Sequence, residues 1–133
     1  RWKDGIVIQD LNDPLEFEEN SVEEILGLHV FEHLRRPGLE DVVDSWYRCL
    51  IPGGKLILEL PNLDKVFLQW LKGDEEALKW LFGNQEHEGQ FHKWGWTPKT
   101  LSEFLKERGF KKIKILPATV NKTELSFRIE AIK

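Results

Sequence analysis

A short segment of this sequence carries three side chains that can transfer protons or bind metal ions. His29, Glu32 and His33 lie within five residues, and His87 or His92 could complete the group from a distant segment. If the segment is helical, His29 shares a face with Glu32 or His33. Because histidine titrates near neutral pH, the group could supply a general base. A divalent metal site and purely local hydrogen bonding are the two other interpretations.

Composition narrows the class of protein. A length of 133 residues predicts a single domain over residues 1–133. The one cysteine, Cys49, excludes an internal disulfide and a cysteine-based zinc cage, so we expect a reducing, cytoplasmic location. The net charge of −4 provides no basic field, so we expect no nucleic-acid partner. Apolar segments stay shorter than the roughly 20 residues that cross a bilayer, so we expect no membrane partner.

Hydrophobic patterning predicts strands that alternate with helices. The predicted strands are residues 5–9, 22–29, 55–60, 113–116 and 124–132. The predicted helices run from Leu39 to Leu50, in two short pieces within 63–82, and from Pro98 after an N-cap at Thr97. This order predicts an α/β sheet of mainly parallel strands with a C-terminal antiparallel hairpin.

Ligands of such sheets bind beyond the carboxyl ends of the strands. Asp10, His29 and Asn62 follow three of the predicted strands, so we expect them to meet at one crevice. Trp94 and Trp96 precede the last helix and either cover a bound substrate or pack in the core. The helical spacing of Trp70, Trp80 and Phe82 predicts core positions for these three.

Three segments carry a resemblance to a known family. "VEEILGLHVFEHL" and "WYRCLIPGGKLILELPN" resemble class I S-adenosylmethionine-dependent methyltransferases, and most of all the type 11 group of small-molecule methyltransferases. "WLFGNQEHEGQFHKWGWTPKTLSEFLKERGF" resembles a late region of methyltransferases that accompany polysaccharide biosynthesis. The resemblance implies a partial Rossmann-like sheet with helices on both faces. It also implies S-adenosylmethionine as cofactor and methyl transfer to a small-molecule acceptor, including sugar-containing ones.

The resemblance also implies roles for individual residues. Asp10 would accept a hydrogen bond from the adenine amino group, and Leu11 would pack on the adenine ring. His29 and Val30 would border the methionine part of the cofactor. The chemistry of the side chains themselves, and not the resemblance, makes three residues the candidate catalytic groups that could take a proton from the acceptor, with no metal assigned: His33, Glu32 and His92.

One feature of the family is missing from the sequence before Asp10. The family begins with a strand and a glycine-rich loop, followed by a second strand that ends in an acid, and neither pattern is present. The chain therefore resembles the C-terminal two thirds of a methyltransferase, truncated and with weak or no activity. An exposed sheet edge would lead to rearrangement, disorder near residues 1–20, or a homodimer.

Two other functions stay open at this point. One is a non-catalytic domain on a methyltransferase-like scaffold, which associates with itself or with a partner through the sheet edge and the aromatic loop. The other is a metal-assisted enzyme built on the histidine and glutamate group, namely His29, Glu32, His33 and His92.

Overall fold

The computed structural model describes residues 2–3, 5–121 and 123–133, which form a four-stranded sheet, a small separate hairpin and four α-helices. The strands are β1 (Trp2–Lys3), β2 (Ile6–Val7), β3 (Val22–Leu28), β4 (Leu50–Pro61), β5 (Lys111–Pro117) and β6 (Ser126–Ile132). The α-helices are α1 (Leu39–Cys49), α2 (Leu63–Leu71), α3 (Ala77–Phe82) and α4 (Pro98–Glu107). Two short 3-10 helices cover Phe31–His33 and Glu88–Gln90.

The four-stranded sheet has the order β3-β4-β6-β5. β3 pairs with β4 in parallel, whereas β6 is antiparallel to both β4 and β5. Leu28 lies opposite Glu59 in the parallel pair, so the carboxyl ends of β3 and β4 lie side by side. The predicted α/β fold with a C-terminal antiparallel hairpin is confirmed, but only one of the three pairings in this described sheet is parallel, where mainly parallel strands were predicted.

The hydrophobic core lies on one face of this sheet. Leu56, Leu58 and Leu60 of β4 alternate toward that face, as a strand period of two requires. The buried residues of α1 and α4 belong to the same cluster, so both helices cover this face. The resemblance implied helices on both faces. On the face opposite α1 and α4, Glu59 is buried and forms an ion pair with Arg128.

The prediction that residues 5–9 form a buried parallel strand is wrong. Ile6–Val7 instead pairs with Trp2–Lys3 as an antiparallel hairpin that is separate from the main sheet. Ile6 and Ile8 are 63% and 61% exposed. A β-branched run has strand propensity, but closing a short loop costs less entropy than reaching a distant strand. Gly5, at φ 78, supplies the left-handed backbone that this turn uses.

β4 begins five residues earlier than its predicted start at Lys55. Residues 52–54 form a strand irregularity, where the pairing with β3 shifts between Val22 and Glu24. Gly53 has φ 80, and a Cβ on Gly54 would lie 2.8 Å from the carbonyl oxygen of Ile51. The two glycines therefore let the chain leave α1 and enter the sheet without a separate loop.

The helices α2 and α3 are separated at Gly73, as predicted, and pack against each other. The predicted core positions of Trp70 and Phe82 are wrong, since both side chains are about half exposed. Helical spacing places such residues on one face, but it does not show that another element covers that face. Among the described residues, every helix is too short or too polar to cross a membrane.

Candidate functional site

A cavity of about 370 Å³ opens at the carboxyl ends of β3 and β4. Its size is within the usual range of small-molecule sites. It is the crevice at which a ligand of an open α/β sheet is expected. The lining residues come from both strand ends, α3 and the following loop: His29, Glu32, His33, Pro61, Glu76, Lys79, Trp80, Gly83, Asn84, Gln90, His92 and Asn121.

His29 enters the cavity directly from the end of β3. Its φ of 54 is in the left-handed region, which a non-glycine residue adopts only when the surroundings impose it. The backbone N–H of His29 donates to the carbonyl oxygen of Glu59 at 2.8 Å. This bond continues the parallel pairing by one step while the chain turns away from the sheet.

The 3-10 helix Phe31–His33 is fixed by an aromatic anchor. Phe31 is fully buried, and its ring lies 5.8 Å from that of Trp46 and 5.4 Å from that of Trp96, centroid to centroid. Burying such a side chain contributes about 1.5–3 kcal/mol. Because Phe31 is held in the core, the next two residues, Glu32 and His33, are directed toward the cavity that both of them line.

His92 comes to the same place from a distant loop. The N–H of Lys93 donates to the carbonyl oxygen of Glu32 at 2.8 Å, and the N–H of His92 donates to that of Phe82 at 3.1 Å. Gly83 allows the loop to approach closely, since a Cβ there would lie 1.8 Å from the carbonyl oxygen of Gln90. Two backbone hydrogen bonds and one glycine thus place His92 beside Glu32.

Backbone carbonyls fix the ring orientation of two histidines. Nδ1 of His33 donates to the carbonyl oxygen of Phe91 at 2.9 Å, and Nδ1 of His92 donates to that of Trp80 at 2.9 Å. A carbonyl oxygen only accepts, so Nδ1 carries the proton in both neutral rings. Nε2 then keeps its lone pair. The two ring centroids are 4.7 Å apart, so the lone pairs belong to one small region of the cavity.

Glu32 is the charged centre of the group. Its side chain is only 3% exposed, and Oε2 lies 3.3 Å from Nδ1 of His29. This hydrogen bond raises the pKa of His29 above its usual value, against the smaller opposing effect of burial. Burial lowers the pKa of His92, which favours its neutral form. Oε1 of Glu32 and Nε2 of His29 are buried without a hydrogen-bond partner among the described residues.

The residues expected to hold the adenine lie elsewhere. Asp10 is on an exposed turn and does not line the cavity. Hydrogen bonds from the backbone and side chain of Asn12 lower the pKa of Asp10. Leu11 is 42% exposed, and the carbonyl oxygen of Val30 accepts the N–H of His33 at 3.0 Å. The roles of Asp10, Leu11 and Val30 in cofactor binding stay predictions.

The aromatic loop divides into a core residue and an exposed one. Trp96 is buried against Phe31 and Phe104, and its backbone forms an isolated parallel bridge with Asn62. Trp94 is 49% exposed. Of the two interpretations left open by the sequence, core packing applies to Trp96, whereas Trp94 remains free to contact a ligand.

Sequence reasoning missed several cavity residues. Trp80 was assigned to the core by helical spacing, yet it lines the cavity and contacts the His29 ring edge-on at 6.4 Å between centroids. Glu76 and Lys79 also line it and pair with each other at 3.2 Å. Asn121, from the β5–β6 connection, carries no motif that would have marked it.

Comparison with known proteins agrees with the architecture. The sequence profile of a family described as "Methyltransferase domain" matches residues 2–58. A methyltransferase structure from Archaeoglobus fulgidus has a TM-score of 0.64 at 16% identity, covering 96% of this chain and 66% of that one. One from Methanosarcina mazei has a TM-score of 0.64 at 19% identity, covering 94% and 65%.

A further structural neighbour is human N-acetylserotonin methyltransferase in complex with S-adenosylmethionine. Its TM-score is 0.61 at 18% identity, and the match covers 94% of this chain and 32% of that one. The chain thus spans about two thirds or less of the length of these three neighbours. No curated protein sequence matches it.

The profile match and the structural neighbours agree with each other and with the motifs in the sequence. They show that the architecture of this chain is that of S-adenosylmethionine-dependent methyltransferases. The expected fold is confirmed: the chain has the class I S-adenosylmethionine-dependent methyltransferase fold, and residues 2–58 match the methyltransferase-domain family model.

Proposed function

We propose that the protein transfers a methyl group from S-adenosylmethionine to an oxygen or nitrogen of a small-molecule acceptor, with sugar-containing acceptors as the first class to test. The observation that carries this proposal is the cavity at the carboxyl ends of β3 and β4, into which His29, Glu32, His33 and His92 converge. The exposed Trp94 adds an aromatic face of the kind on which sugar rings stack.

The chain fits the cofactor in one part only. His29, with its left-handed backbone and unpartnered Nε2, and the adjoining Pro61 would border the methionine part. Asp10 does not line this cavity, and its Oδ1 is already bonded to Asn12. When bound, S-adenosylmethionine supplies a methyl group activated by its positive sulfur. Because Asp10 lies outside this cavity, we expect weak cofactor binding by this chain and low activity.

The cluster of Glu32, His33 and His92 acts on the acceptor. Nε2 of each histidine presents a lone pair, because Nδ1 is occupied by a backbone carbonyl. A lone pair in this position can accept the proton that an acceptor hydroxyl or amine loses as its oxygen or nitrogen attacks. The remaining catalytic contribution is alignment of donor and acceptor, which can supply about 7–11 kcal/mol in favourable cases.

Calorimetry with S-adenosylmethionine, together with a radiolabelled methyl-transfer assay on a panel of sugars and small alcohols and amines, tests the proposal. We expect saturable binding with a dissociation constant above about 100 μM, and a lower transfer rate for His33→Ala with the dissociation constant unchanged. His87→Ala is the matched control, because His87 lies outside the cluster. The proposal fails if the chain shows no saturable binding or if His33→Ala transfers at the wild-type rate.

A second candidate function is self-association as a non-catalytic domain. β3 is at one edge of the four-stranded sheet, and Leu26 on that strand is 53% exposed. An unpaired edge next to an apolar side chain favours pairing with a second copy. Light scattering would show a dimer that Leu26→Lys converts to a monomer. Leu71→Lys is the control, since Leu71 is 78% exposed on α2, outside the sheet.

A further inference from the structure

The cluster of Glu32, His33 and His92 has the composition of a metal site. One ligand atom from each of the three side chains lies within 4.8 Å of the others. Two imidazoles and one carboxylate are a common ligand set for Zn²⁺ and other divalent transition metals, which leave at least one position open for a substrate.

The hydrogen bonds around the cluster already orient the ligands. In metal sites, the second ring nitrogen of a ligating histidine usually donates to a carbonyl or carboxylate, which fixes the tautomer. His33 and His92 both show this pattern, toward the carbonyl oxygens of Phe91 and Trp80. Oε2 of Glu32 is likewise bonded, to Nδ1 of His29.

Independent support for a bound cation comes from the second carboxylate oxygen of Glu32. Oε1 of Glu32 is buried without a hydrogen-bond partner among the described residues, although the side chain is only 3% exposed. Leaving a buried charged oxygen unpaired is costly, and a cation beside it would remove that cost. The other charged pair of the cavity, Glu76 and Lys79, neutralises itself.

We propose that Glu32, His33 and His92 bind one divalent transition-metal ion, with Zn²⁺ as the best fit to this ligand set. Ligand atoms around a tetrahedral zinc ion at about 2.0–2.1 Å lie about 3.4 Å apart. The three side chains therefore close by about 1 Å or slightly more when the ion binds. All three side chains line the cavity, so a bound ion would be accessible from it. If the proposed methyl transfer is correct, the Nε2 lone pairs would hold the ion instead of taking the proton, and the ion would lower the pKa of the acceptor hydroxyl so that its proton passes to solvent water.

Zn²⁺ titration by calorimetry and the visible spectrum of added Co²⁺ test the site in the full chain, with neither cofactor nor acceptor present. We expect one ion per chain. Losing even a residue that only orients a ligand typically costs about 10- to 100-fold in affinity. Glu32→Gln and His33→Ala should therefore each weaken Zn²⁺ binding at least about 10-fold. His87→Ala, outside the cluster, should bind as the wild type does.

His92→Asn covers the case in which the other variants fail to fold. Its amide nitrogen can still donate to the carbonyl oxygen of Trp80, so the loop keeps its contact while the imidazole ligand is lost. The site is refuted if the wild-type chain binds no Zn²⁺ up to about 1 mM, or if His92→Asn is folded and binds like the wild type. Because methyl transfer is not measured, this failure would leave the proposed function standing.

Discussion

Glu59 shows how a single buried charge is accommodated on the polar face of the sheet. It is fully buried, and its carboxylate accepts hydrogen bonds from the backbone of Thr119 and Val120 and from Arg128. Burial alone would raise the pKa of Glu59, but these hydrogen bonds outweigh it and lower the pKa from 4.5 to about 2. The charge is therefore a stabilising feature of the folded chain at neutral pH.

Glu59→Gln should lower the free energy of unfolding by about 1.5–3 kcal/mol at pH 7, the usual contribution of a hydrogen bond to a charged group. Because the pKa in the folded chain is below that of the unfolded chain, the carboxylate stabilises the fold above pH 4.5, and this stabilisation is lost as the pH falls toward about 2. Urea unfolding at several pH values should show the gap between wild type and variant closing over that range.

The control for this prediction is Glu130→Gln. Glu130 also bonds Arg128, at 2.8 Å, but it is only partly buried. The Glu130 variant should lose less stability than the Glu59 variant. Equal losses would mean that the burial of Glu59 does not contribute.

At the scale of residues, proximity in space was easier to predict for residues that are close in sequence. His29, Glu32 and His33 are close in the chain, and the structure brings His92, one of the two distant histidines considered, beside Glu32 and His33. The failures are residues whose position depends on tertiary contacts. Trp80 faces the cavity and Phe82 is half exposed, because α3 packs mainly on α2. In the sequence, Glu59 is a charged residue within a mostly apolar strand. Its partners on β6 and in the 118–121 segment are evident only from the structure.

Among the elements, α4 has the most complete N-terminal signal. Oγ1 of Thr97 accepts the N–H of Thr100 at 3.0 Å, the Thr100 hydroxyl accepts the N–H of Thr97 at 2.9 Å, and Pro98 occupies the first turn. These reciprocal bonds satisfy donors that the helix itself leaves free.

Thr97→Ala should therefore cost about 1 kcal/mol of stability. Ser102→Ala, within the same helix, should be neutral or slightly stabilising, because alanine has the higher helix propensity. Thermal unfolding followed by circular dichroism would separate the two variants. Equal melting temperatures would show that the cap does not contribute.

Two glycines with positive φ give a comparison that tests the loop that carries His92. Gly83 and Gly73 have φ of 82 and 91. A Cβ on Gly83 would lie 1.8 Å from the carbonyl oxygen of Gln90, whereas a Cβ on Gly73 would meet nothing within 4 Å. Gly73→Ala should cost only the left-handed backbone penalty of about 1–2 kcal/mol.

Gly83→Ala should cost more than Gly73→Ala and should also displace the segment from Gln90 to His92. Urea unfolding measures the first effect. Tryptophan fluorescence, compared with and without Trp80→Phe to obtain the contribution of Trp80, reports the second. If both alanine variants unfold at the same urea concentration, the close approach at Gly83 is not a structural requirement.

Element types were largely predictable, and their partners were not. The helices α1 and α4 and the hairpin of β5 and β6 follow from periodicity and capping within each segment. The N-terminal run Ile6–Val7 has the same strand propensity as a core strand, yet it pairs with its immediate neighbour. Propensity describes how a segment fits a sheet, and it does not choose which sheet.

For the molecule as a whole, Cys49 is a probe of unfolding. It is fully buried in the core, between α1 and β4. A thiol reagent should modify it only after the core opens, so labelling in native buffer should be far slower than in urea. In a Cys49→Ser, Lys106→Cys variant, the new thiol replaces an exposed side chain of α4 and should react rapidly in both conditions. Rapid labelling of native Cys49 would contradict the buried core.

The sheet order has a consequence for how the chain acquires its structure. β5 pairs only with β6 among the described strands, and β6 must also join β4, where Lys55 lies opposite Ile132. Contacts between segments so far apart in sequence slow folding, because a long loop must lose conformational entropy before these contacts can form. During synthesis on the ribosome, the leucine-rich β4 emerges long before β6. Until β6 is available, the backbone N–H and C=O groups on that side of β4 have no strand partner. That interval is when the nascent polypeptide is most exposed to aggregation and most in need of a chaperone.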